Sequence, residues 1–229
     1  MKIKTLDTTS TTFMSDLSNY LDLKVKNYVS IEKSVDKILN DIRNNGDQAL
    51  IKFSRKYDLT SYRKISDSVV SKNEIREAYR LVPKEILTNI KKAVVNIKKF
   101  SRNQSLKSWS MKVKGSIIGE KVTAIKTAGI YVPGGKASYP STVLMNAIPA
   151  RIAGVKKIIM VCPPMNKKIN PLVLVAADLC KVDKIYKFGG AHAVAALAHG
   201  TETISSVDKI VGPGNIFVAT AKKKVFGTV

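Results

Sequence analysis

Three side chains in the carboxy-terminal part of this 229-residue chain stand where a ligand could be held: Tyr131, His192 and Asn215. Each belongs to a turn rich in glycine or proline: Tyr131-Val-Pro-Gly-Gly135, Gly189-Gly-Ala-His192 and Gly212-Pro-Gly-Asn215. A fourth turn, Cys162-Pro-Pro164, follows an apolar run in the same way. Glycine lets backbone approach a ligand closely, and the first turn of a helix presents N–H groups that suit phosphates. A phenol, an imidazole and an amide beside such turns supply hydrogen bonds and stacking surface. Each feature also has a plain structural reading. A glycine pair after a strand makes a turn, Asn215 can cap a helix, and His192 can be a helix-start residue. His199, just before Gly200, reads as a helix C-terminal residue facing the dipole. The recurrence of four such turns at the same place in successive units favours a site.

The elements that must position these turns are legible in residues 129–229. A short apolar run, a Gly- or Pro-containing loop and a helix follow one another four times. The runs are Gly129–Val132, Lys157–Cys162, Lys184–Phe188 and Lys209–Val211. The helices are expected over about Ser141–Ile152, from Asn170-Pro171 to near Cys180, after Gly189-Gly190 to Ala198, and after Gly212-Pro-Gly-Asn215 toward Val225. Pro149 lies inside the first of them and is expected to kink or shorten it. This alternation predicts a parallel α/β sheet with right-handed crossovers. In such a sheet the loops at the carboxyl ends of the strands share one edge, so the four turns should converge there.

Residues 1–128 read as helices followed by a strand pair. Ser30 is expected to cap a helix with Ile31, Val35, Ile38, Leu39 and Ile42 on one face, and Gly46 to stop it. Asp47 can cap the next, with Leu50, Phe53 and Tyr57 on one side. Ser71-Lys-Asn-Glu74 has the capping-box pattern, and Pro83 suits a first helical turn. Ile86, Leu87, Ile90, Val94, Ile97 and Phe100 form a further stripe. From Trp109 the period changes to two, and a second β-like run covers Ile117–Ile125, with Lys114-Gly115-Ser116 as the turn.

Composition narrows the function. The chain has 39 Lys plus Arg, 17 Asp plus Glu and a net charge of +22. Both parts share the excess, +13 over residues 1–128 and +9 over 129–229, and the longest basic run is Lys222–Lys224. With no zinc-finger spacing or aromatic RNA-binding pattern, a solvated Lys-rich surface is favoured over nucleic-acid binding. No long apolar span or secretory signal is seen, so no membrane association is expected. Cys162 and Cys180 form no CxxC pair and read as reduced core thiols of a cytoplasmic protein. Two His and two Cys, well separated, do not match zinc spacing. Neither GxGxxG nor GxxxxGK[ST] occurs.

Against this background the stretches Gly129–Val155, Phe188–Glu202 and Val207–Val218, with the helix pair Asp36–Asp58, resemble histidinol dehydrogenase. The likeness runs from about residue 25 to Val229 and covers the amino-terminal half of the family's length. It implies NAD-dependent, zinc-dependent oxidation of L-histidinol to L-histidine in two steps, in a homodimer of Rossmann-like domains. It also implies that Tyr131, His192 and Asn215 contact NAD, although the family has Gln where this chain has His192. On that pattern residues 1–128 form a helical region with a strand pair, part of an incomplete domain, and 129–229 the NAD-binding domain. The zinc ligands and the catalytic Glu-His pair would lie beyond Val229, so catalysis by this chain alone is not expected. Stripes such as Ile31–Ile42 and Ile86–Phe100 would then lack part of their cover. The alternative is a non-catalytic remnant that binds nucleotide or dimerises.

Overall fold

In the computed structural model, residues 5–134 and 139–229 are described, with backbone alone for 22–27. The first helix, α1, runs from Phe13 to Tyr57 and is broken only at Gly46, where φ is 44° and ψ −124°. The stop expected at Gly46 is therefore present. The start expected at Ser30 is not, because the backbone is already helical from Phe13. Ser30 offers its carbonyl to the Ser34 hydroxyl at 3.0 Å, a bond made within the helix. Asp47 is reinforced from outside: its N–H donates to Glu202 at 2.7 Å, and its carboxylate accepts from the Thr203 hydroxyl.

A 3-10 turn, Ile65–Ser68, leads to α2, Lys72–Leu81. The capping box at Ser71 and Glu74 is closed in both directions. Pro83 is the residue before α3, Lys84–Arg102. Strand β1, Trp109–Val113, pairs antiparallel with β2, Ser116–Glu120. Lys114 and Gly115 join them, both at positive φ, the two-residue turn that suits strand twist. The strand ends at Glu120 rather than Ile125, because the Val122 N–H leaves the ladder for the Ser108 hydroxyl at 2.9 Å.

Four units then follow: β3 Thr127–Tyr131 with α4 Pro140–Ile152, β4 Lys157–Val161 with α5 Pro171–Leu179, β5 Lys184–Tyr186 with α6 Gly190–His199, and β6 Lys209–Val211 with α7 Ile216–Lys224. All four strands are parallel, in the order β5-β4-β3-β6. Alternate residues face opposite ways, as the pleat requires. Ile158 and Met160 enter a core with α4 and α5, whereas Ile159 and Val161 enter one with α6 and α7. Pro149 does not split α4, which continues to Ile152.

The amino-terminal helices add a layer on each side. α1 packs on α6 and α7, α2 on α5, and α3 on α4. Val35, Ile38, Leu39 and Ile42 are all buried, each worth about 1.5–3 kcal/mol of transfer free energy. This stripe is thus covered at these four positions, with Ile31 at its start only partly buried, because α6 and α7 of the same chain meet it. The α3 stripe is covered only at its centre: Ile90 and Val94 are buried, but Ile86 and Phe100 are exposed. Both strands of the hairpin are exposed along their whole length.

Candidate functional site

The strand order creates a crevice at one place. The chain leaving β3 goes to α4 on one face of the sheet, and the chain leaving the adjacent β6 goes to α7 on the other. Loops that part in this way leave an opening beyond the carboxyl ends of the two strands. A cavity of about 490 Å³ occupies it, and Tyr131, His192 and Asn215 all line its wall. The turns reach one another through glycine. A Cβ on Gly189 would lie 2.5 Å from the Pro163 ring, and one on Gly212 would lie 2.0 Å from the Tyr131 carbonyl oxygen. The part of the first turn at Gly135 lies outside the described residues.

The three side chains are held differently. Tyr131 is nearly enclosed, and its hydroxyl accepts the Gly190 N–H at 3.0 Å. Burial pushes the phenol up to about 12, with the Asp58 charge adding to the effect and the Gly190 bond opposing it. It therefore keeps its proton at neutral pH and can donate it. Asn215 is exposed and caps α7, its Oδ1 accepting from Phe217 and Val218 N–H at 3.1 Å each. The cap and the cavity wall are thus roles of one residue, and the Nδ2 amide is left to donate. His192 is 1% exposed, not a surface residue, and sits among the rings of Phe53, Tyr57 and Phe188.

The structure adds a residue that the sequence did not single out. Asp58, one position past α1, places Oδ2 2.9 Å from His192 Nε2 and 3.1 Å from the Gly189 N–H. Its side chain is 6% exposed. No local pattern marks it, since its partners lie 131 and 134 positions away. These contacts use up some of the helix-start donors. Gly189 and Gly190 spend their N–H groups on Asp58 and Tyr131, and Phe217 and Val218 spend theirs on Asn215.

A second cavity of about 480 Å³ shares Tyr57, Asp58, Gly134 and Pro163 with the first and extends to Asn166 and Lys167. The crevice is therefore long, with rings and prolines in its wall beside aliphatic and polar groups. Among the described residues no group of three or more His, Cys, Asp or Glu could hold a metal ion. His199 ends α6, and burial, then the Arg43 charge, lowers its pKa. No helix among the described residues is long and apolar enough to cross a membrane.

A four-stranded parallel sheet in this order, layered by helices and opened at the β3–β6 junction, defines a Rossmann-like α/β protein. Within that class the chain belongs to the histidinol dehydrogenase family, whose model matches residues 22–229. It is 43% identical over its whole length to a histidinol dehydrogenase of Hydrogenovibrio crunogenus, of which it spans 53%. It is 50% identical over 206 residues, 89% of this chain and 47% of the relative, to that of Clostridium acetobutylicum. The crystal structure of histidinol dehydrogenase from Elizabethkingia anophelis superposes with a TM-score of 0.81 at 38% identity, over 86% of this chain and 46% of that one. The chain thus spans about half the length of the relatives it matches.

Proposed function

We propose that this chain is the cofactor-binding, amino-terminal part of a histidinol dehydrogenase, acting in the NAD-dependent two-step oxidation of L-histidinol to L-histidine. The observation that carries this reading is the meeting of Tyr131, His192 and Asn215 on one crevice at the β3–β6 junction. The two adjoining cavities, about 490 and 480 Å³, suit an elongated ligand with two ring systems. Tyr131 would donate its hydroxyl proton, Asn215 its amide hydrogens, and Tyr57 and Phe217 would give ring surface. Bound NAD would supply the hydride acceptor.

The donor set for zinc is not assembled by the described residues, so no residue here is assigned to it and no step is drawn through it. Chemistry on histidinol is proposed to need the remaining half of the relatives' length, within a homodimer. A cytoplasmic setting belongs to the same reading, supported by the two free, buried thiols.

Calorimetric titration of the purified chain with NAD tests this reading. Saturable binding that Asn215→Ala weakens is expected, with no NADH formed when histidinol is added. Addition of a carboxy-terminal half from a relative should restore turnover. A chain that binds no NAD would overturn the cofactor assignment, and turnover by the chain alone would overturn the division of labour.

A further inference from the structure

We propose that Asp58 is a positioning residue that fixes His192 as the Nε2–H tautomer, so that Nδ1 faces the crevice as an acceptor for an N–H donor of the dinucleotide. The inference rests on the NAD reading of the crevice and adds a polarity to it. Its basis is the two contacts at one oxygen. Asp58 Oδ2 already accepts the Gly189 N–H at 3.1 Å, and an ionised carboxylate only accepts. His192 Nε2, 2.9 Å from the same oxygen, must then carry the hydrogen. In the neutral ring, the form proposed here, the other nitrogen, Nδ1, then keeps its lone pair.

The position of that nitrogen gives the tautomer a consequence. Nδ1 and Cε1 lie on the Gly190 side of the ring, each 3.3 Å from where a Gly190 Cβ would be. Gly190 and His192 both line the cavity. Among the described residues no hydrogen-bond partner of Nδ1 is found, whereas Nε2 is paired. Packing holds the ring in this orientation: its centroid is 6.0 Å from that of Tyr57, 6.4 Å from Phe53 and 6.5 Å from Phe188. A phosphate oxygen set against Nδ1 would bring acceptor to acceptor, with the Asp58 charge behind it. An amino or amide group, as on adenine or on the nicotinamide carboxamide, meets the lone pair with a hydrogen. Asp58 and His192 thereby select which part of the cofactor lies at the start of α6.

Nitrogen-15 spectra of the histidine-labelled 229-residue chain test the tautomer without any ligand. A hydrogen on Nε2 and a bare Nδ1 are expected for His192. Asp58→Asn should keep that pattern, because the amide oxygen is required by the Gly189 N–H and so still accepts from Nε2. Asp58→Ala should lose it. A ring protonated on Nδ1, or on both nitrogens at neutral pH, overturns the proposal. The ligand arm uses three probes: NAD, NAD with its carboxamide replaced by carboxylate, and NAD with its adenine amino group replaced by oxo. Wild type should bind one altered dinucleotide about three- to tenfold more weakly than NAD, the effect of one hydrogen bond. His192→Ala should erase that difference and leave the other comparison unchanged. Equal affinity of wild type for all three overturns the acceptor role while leaving the NAD site standing. No binding of any probe overturns the NAD site itself, and the spectra still decide the tautomer.

Discussion

Glu202 sits where a side chain on Gly46 would have to go. Its carboxylate lies 2.1 Å from an ideal Cβ at that position and accepts the Asp47 N–H at 2.7 Å. Gly46 itself has φ 44° and ψ −124°, outside the left-handed helical well, where an L residue is strained by about 1–3 kcal/mol. Gly46→Ala therefore combines backbone strain with expulsion of Glu202 and loss of a charge-assisted bond. A destabilisation of about 2–4 kcal/mol is expected in urea melts. Gly46→Ala in a Glu202→Ala background should cost less, because only the strain is then added. Equal costs in the two backgrounds would show that Glu202 plays no part.

Asn215 allows its two roles to be separated. Its Oδ1 caps α7, and its Nδ2 is assigned to the cofactor. Asn215→Asp keeps the acceptor and removes the donor hydrogens, so stability should hold while NAD affinity falls about three- to tenfold. Asn215→Ala should lose both, with about 1 kcal/mol of stability gone. If Asn215→Asp binds NAD as wild type does, the amide is only a cap.

The four strand–helix units were legible because an apolar run, a breaker and a helix are local signals. Asn170 and Asn215 cap the helices expected of them, and Ser71 and Glu74 close their box. Strand ends were less legible, since they depend on distant partners. β5 stops at Tyr186, not Phe188, because the Lys187 N–H turns to the Ser68 carbonyl at 2.8 Å. The strand order is a property of crossovers and has no local mark. Asp58 was hidden for the same reason: it looks like a polar residue after a helix until α1 is laid on α6. The burial of His192 was hidden likewise, because the rings that enclose it come from α1 and from Phe188 in the loop after β5.

Acid should unlock one long-range contact in particular. Lys187, 9% exposed, places Nζ 2.9 Å from Glu74 Oε1, tying the start of α2 to the loop after β5. Burial acts to raise the Glu74 carboxyl, but the Ser71 backbone, Lys187 and the Ser71 side chain together outweigh it and hold it below 4.5. A carboxyl lowered on folding stabilises above its unfolded pKa and loses that contribution as pH falls through the folded value. Glu74→Gln is expected to cost about 1–3 kcal/mol at neutral pH, since it leaves a buried cation half-partnered beside a partly exposed group. That difference from wild type should shrink as pH drops below about 4.5 in urea melts, toward zero once both chains carry a neutral side chain there. A gap that stays constant from pH 7 into acid would show that the ion pair contributes nothing.

The two cysteines offer a chemical measure of whether the crevice wall opens. Burial, with the Asp58 charge adding to it, pushes the Cys162 thiol up to about 12. Burial raises Cys180 to about 11, against a small opposing effect from Lys98. The thiolate is the reactive species, so both should be poor nucleophiles near pH 8 while the chain is folded. Alkylation by iodoacetamide, followed by mass spectrometry, is expected to run at least about a hundredfold slower in buffer than in urea. Cys162 follows the end of β4 and leads into the Pro163 ring that packs on Gly189, so its protection reports on the turns around the crevice. NAD binding at the crevice should slow its labelling further and leave Cys180, at the C-terminal end of α5, unchanged. Fast native labelling of Cys162 alone would mean that these turns separate in solution, and the proposed cofactor would then meet a site that assembles only on binding.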